Sequence, residues 1–140
     1  MWSEAMLTIG STTLGVLLAF LLNSWWINRG NKKEFKEMIV LVKYELENNK
    51  TCIQDENWVA ISFETFKALS ANPLFIRYIT PGTFNALWKT TATLRVMKDA
   101  KIKNKIPSDL LMKKWFDGEI DISRILDIVI QKVARDGESD

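Results

Sequence analysis

Residues 5–28, AMLTIGSTTLGVLLAFLLNSWWIN, contain no charged side chain and are bounded by Glu4 and Arg29. No other stretch limits the fold as strongly, because a helix that is apolar on all sides has to be covered by lipid or by protein. As a helix these residues reach about 36 Å at ~1.5 Å per residue, against a hydrocarbon core of about 30 Å. The run therefore predicts a transmembrane helix over residues 1–28. Trp2 at one end and Trp25 with Trp26 at the other are the predicted interfacial anchors, joined on the basic flank by Arg29, Lys32 and Lys33. The opening MWSE lacks the basic n-region of a secretory signal, so cleavage is not expected. Arg29, Lys32, Lys33 and Lys36 follow the run directly, which predicts an outside N-terminus and a cytoplasmic C-terminal domain.

Within the run, Ser11, Gly15, Ala19 and Asn23 recur at every fourth position and share one helix stripe. Small residues let a second backbone approach, and an amide can bond across the interface. The stripe is accordingly a candidate helix–helix contact with other membrane subunits or with a second copy.

The remaining residues, about 110, suffice for one small domain. Hydrophobic residues make up 47% of the chain and charged residues 26%, a balance that predicts folding rather than disorder. Residues 29–56 form a charged helix with Phe35, Met38, Ile39, Val42, Leu46 and Ile53 along one face. Gly30 and Asn31 either break that helix or are carried through it. Residues 57–70 predict a second helix, ended by Asn72 and Pro73; LFIRYI at 74–79 is an extended connection or a helical turn. Thr80 followed by Pro81 marks the start of a third helix, with Phe84, Leu87, Trp88 and Thr91 inward. Residues 98–105 read as a polar loop or frayed end. A short helix from Ser108 closes at Gly118, and a last helix runs over residues 120–135 with Ile122, Ile125, Leu126, Val129 and Val133 as its stripe. The last residues, DGESD, read as a solvated tail. The predicted fold is all-α, one N-terminal transmembrane helix followed by a small soluble helical bundle. Its segments are the span at 1–28, a juxtamembrane amphipathic helix at 29–56, a bundle at 57–136 and a tail at 137–140.

Histidine is absent and Cys52 is the single cysteine, so the commonest general base and zinc ligand are missing and no intrachain disulfide can form. Asp117, Glu119 and Asp121 alternate like the first ligands of a calcium loop, but Ile122 stands where such a loop needs glycine and Ile128 where it needs glutamate. These acids fit the N-terminal dipole of the last helix instead. No metal site, cofactor or catalytic residue is expected. Trp58, Trp88 and Trp115, one in each of three helices, are predicted core anchors.

Charge is segregated. Residues 95–114 carry seven cations against two acids, and residues 117–140 seven acids against three cations. Lys101, Lys103 and Lys105 in the basic segment are the candidate contact for an anion. No Gly-rich phosphate loop, zinc-finger spacing or RNA-binding aromatic signature accompanies them, so nucleic acid is not an expected partner.

LGVLLAF at 14–20, then Asn23, Trp25 and Trp26, YELENN at 44–49 and TFNALWKT at 83–90 resemble an uncharacterised family of bacterial single-pass membrane proteins. The resemblance implies single-pass topology and a bacterial inner-membrane location, and carries no chemistry. The expectation is a non-enzymatic accessory or scaffold subunit that meets membrane proteins or itself through the stripe and the first amphipathic helix. The alternative is a membrane effector or sensor whose cytoplasmic domain binds a small anionic ligand and acts through oligomerised spans.

Overall fold

A computed structural model describes the backbone of residues 2–138 and the side chains of residues 12–138. Every regular element among them is helical: α1 (Trp2–Gln54), a 3-10 turn (Trp58–Ala60), α2 (Glu64–Ser70), α3 (Pro73–Tyr78), α4 (Pro81–Lys103), α5 (Leu110–Phe116) and α6 (Ile122–Glu138). The chain divides into two compact units, Met1–Glu34 and Phe35–Asp140.

The all-α expectation holds, but the membrane span does not. Among the described residues no helix is long and apolar enough to cross a membrane. Side chains are described from Thr12 onward, and in that part of the uncharged run Thr12, Thr13, Asn23, Ser24 and Asn28 dilute the apolar residues before Arg29 ends it. Helix α1 continues through Gly30 and Asn31 without a break. Proline does not occur before Pro73, so every backbone N–H that a continuous helix needs is present. A single helix-interior glycine costs only about 1 kcal/mol relative to alanine, too little to stop the helix there.

In the second unit, the α1 residues Phe35, Met38, Ile39, Val42 and Leu46 are buried together with Phe66, Phe75, Ile79, Leu87, Leu94, Met97, Ile122, Leu126, Val129 and Val133. The apolar face of the first amphipathic helix is thus part of the protein's own core. Each such side chain contributes about 1.5–3 kcal/mol when fully withdrawn from water. The partly buried Trp58 and Trp115 pack against this cluster, but Trp88 is 58% exposed and is not a core anchor. Phe84, a turn before Trp88, stacks on its ring at 6.4 Å.

The predicted second helix is only half helical, because Ile61, Ser62 and Phe63 leave the helix between the 3-10 turn and α2. Asn49 explains this break. Its side chain, 2% exposed, accepts from Ser62 N at 3.0 Å and donates to Ser62 O at 2.8 Å, occupying both backbone groups. Phe63, at the N-cap of α2, offers no side-chain hydrogen bond. Glu45 of α1 does this instead: Oε2 accepts from Thr65 N at 2.9 Å and Oε1 from Phe66 N at 3.1 Å. A carboxylate on these N–H groups also meets the positive end of the helix dipole. Glu45→Ala is expected to cost about 1–2 kcal/mol, the usual range for losing a cap, with earlier amide exchange at Thr65 and Phe66 as the local readout.

The remaining starts are supplied locally. Asn72 Oδ1 accepts from Leu74 N at 2.9 Å and Phe75 N at 3.3 Å, which makes LFIRYI mostly helix. Asp109 Oδ1 accepts from Leu111 N at 3.0 Å and Met112 N at 3.1 Å, and Asp121 Oδ1 from Ser123 N at 3.0 Å. The last of these is the dipole role expected of the acids before α6. Helix α4 runs to Lys103, through most of the expected polar loop, and stops at Asn104 with φ 50°, a left-handed conformation that asparagine tolerates. Gly118, at φ 76°, turns the chain after α5.

The expected solvated tail is partly structural. Helix α6 extends to Glu138, and Asp136 is 8% exposed. A Cβ on Gly137 would lie 2.8 Å from Ile39 Cγ2, so any larger residue there would force the Ile39 side chain to shift.

Candidate functional site

The described residues of the first unit carry the surface the sequence singled out. Leu14, Val16, Leu17, Leu18, Phe20, Leu21, Leu22, Trp25, Trp26 and Ile27 are all between 52% and 70% exposed. At 100° per residue they point to every side of the helix. Gly15, Ala19 and Asn23 lie on the predicted stripe and are exposed; a Cβ at Gly15 would meet nothing within 4 Å. Trp2 and Ser11 lie outside the described side chains. Arg29 sits with its guanidinium carbon 5.4 Å from the centroid of the Trp25 ring, a cation–π contact. Lys32 is half-buried and Lys33 exposed.

The basic segment is divided by the helix it lies on. Residues two apart on an α-helix are about 200° apart, so Lys101 and Lys103 of α4 face opposite ways. Lys103 is exposed and pairs with Asp99 at 3.0 Å. Lys105 is exposed beyond the end of α4. Of the three, Lys101 lines a cavity.

That cavity, of about 570 Å³, is lined by Ile53, Glu56, Trp58, Lys101, Trp115, Phe116, Gly118, Ile120, Asp121 and Ile122. Four parts of the chain build it: the end of α1, the 3-10 turn, the last turns of α4, and α5 with the turn into α6. Lys101 Nζ lies 4.3 Å from the Phe116 ring centroid and 5.7 Å from that of Trp58, and donates to Phe116 O at 3.0 Å. Two of its three N–H donors are therefore open to another acceptor. In the wall beside it, Trp115 Nε1 is buried without a hydrogen-bond partner. Glu56 and Asp121, the two acids of the lining, are exposed at the rim.

A second, more apolar groove of about 300 Å³ lies between Phe66, Trp88 and Arg95. Cys52 is buried. Among the described residues no group of three or more His, Cys, Asp or Glu side chains is placed to hold a metal ion. Sequence reasoning placed Trp58 and Trp115 in the core and so missed them as cavity walls. Periodicity reports which side of a helix turns inward, but not where the inward sides fail to meet.

Comparisons of the chain with protein-family models, with curated proteins and with solved structures return no match.

Proposed function

We propose that this protein is a non-enzymatic assembly subunit, which joins protein partners or further copies of itself through residues 14–27 of α1. One observation carries this reading: ten large apolar side chains encircle that stretch, each more than half exposed. Covering what remains exposed of them would release on the order of 10 kcal/mol, comparable with the roughly 4–15 kcal/mol that association costs. A helix apolar on all sides is a helix that is covered in the working protein, and in this reading other chains supply the cover. Gly15 and Ala19, on the small-residue side, are where a neighbouring helix can come closest.

Native mass spectrometry and sedimentation of the intact chain test the proposal. The wild type is expected to hold a fixed stoichiometry above one, and Leu18→Glu with Leu21→Glu to return it to a monomer with unchanged helix content. A wild-type chain that stays monomeric in buffer, or that enters lipid vesicles as a monomer, would overturn the assembly role.

A further inference from the structure

We propose that the cavity around Lys101 binds a small monocarboxylate with an aromatic or branched apolar body. This site stands independently of the assembly role and uses none of residues 14–27.

The chemistry of the lining selects the ligand class. Ile53, Trp58, Phe116, Ile120 and Ile122 place apolar side chains in a lining whose exposed surface is on balance more polar than apolar, and about 570 Å³ lies within the range of small-molecule sites. Lys101 supplies the one positive charge of the lining, held in place by the Trp58 and Phe116 rings and the Phe116 carbonyl. A carboxylate on its remaining donors forms a charge-assisted hydrogen bond in partly desolvated surroundings, where such bonds are strong. Glu56 and Asp121 of the lining oppose negative charge on a ligand, and a single carboxylate meets less of that opposition than a phosphate or a dicarboxylate. Asp121 is already committed to Ser123 N and does not compete for Lys101.

Indole-3-propionate is a suitable probe, with indole-3-propionamide as its uncharged isostere. Calorimetry on the intact chain is expected to show saturable binding of the acid and about tenfold weaker binding of the amide. Lys101→Met should weaken the acid by a similar factor, Lys101→Arg should retain most of the affinity, and Lys103→Met should leave it within about twofold. Indole N–H resonances of Trp58 and Trp115 should shift on titration while that of Trp88 stays put. Lack of saturable binding by the acid, equal affinity for acid and amide, or loss of affinity in Lys101→Arg as large as in Lys101→Met would overturn the assignment. So would shifts confined to Trp88. A melting curve for each variant separates lost binding from lost folding.

Discussion

Phe75→Ala is expected to lower the unfolding free energy by about 3–5 kcal/mol, the cost of emptying a large aromatic site in a packed core. Phe75 is 0% exposed, and its ring lies 6.0 Å from that of Phe35 on α1. It sits on α3, which has only six residues. A helix that short has no stability of its own, because nucleation is unfavourable and too few bonds follow. Phe75 is therefore what fastens the connection between α2 and α4 to α1. Folded domains of this size are stable by roughly 5–15 kcal/mol, so the substitution removes a large share of the total. At about 4 °C per kcal/mol, the midpoint should fall by roughly 12–20 °C. Phe75→Leu keeps most of the volume and should cost under about 1.5 kcal/mol. Equilibrium urea unfolding of both variants checks the ordering; equal losses would mean that ring volume is not what holds α3 down.

Asp136→Ala is expected to cost about 2–3 kcal/mol, because a buried acceptor that joins α6 to the start of α4 is lost. Helix α4 begins at Pro81, and its N-cap Thr80 makes no side-chain cap of its own. Asp136, fifty-six residues later, reaches it from α6. Its carboxylate accepts from Thr80 N at 2.9 Å, from Thr80 Oγ1 at 3.0 Å and from Thr83 Oγ1 at 3.1 Å. Without it the Thr80 N–H and two hydroxyls compete for fewer acceptors, and Thr83 is only 4% exposed. Asp136→Asn retains one acceptor oxygen and should lose about half as much. Hydrogen exchange at Thr80 should accelerate in Asp136→Ala before exchange in the middle of α4 does. Unchanged protection at Thr80 would show that the cap is not limiting there.

Asp136 and Glu45 illustrate what local sequence cannot say. Both are acids on helices, and neither stands at the spacing from the helix it caps that a local capping rule would recognise. Residues 136–140 read as a solvated tail because Asp136 is followed by glycine and two further acids. What the acid does depends on which helix start is packed against it, a fact about tertiary neighbours.

The candidate sites divide in the same way. The exposed apolar collar at residues 14–27 was legible at once, since a run without charge has to be covered by something. What covers it was not, and among the described residues no helix is long and apolar enough to cross a membrane. For the basic segment, composition pointed to Lys101, Lys103 and Lys105 together. Helical geometry separates them, and only Lys101 reaches the aromatic walls.

By itself the sequence determined the helical class, most helix starts, and the apolar stripes of α1, α4 and α6, because period, proline and capping residues act over one or two turns. Three things were left to the tertiary structure. It joined residues 2–54 into one helix, it placed Glu45 and Asp136 on the bare starts of α2 and α4, and it left a cavity where α1, α4 and α5 converge. Each of these depends on side chains far apart in the chain, whose meeting is set by how whole helices pack and not by the residues beside them.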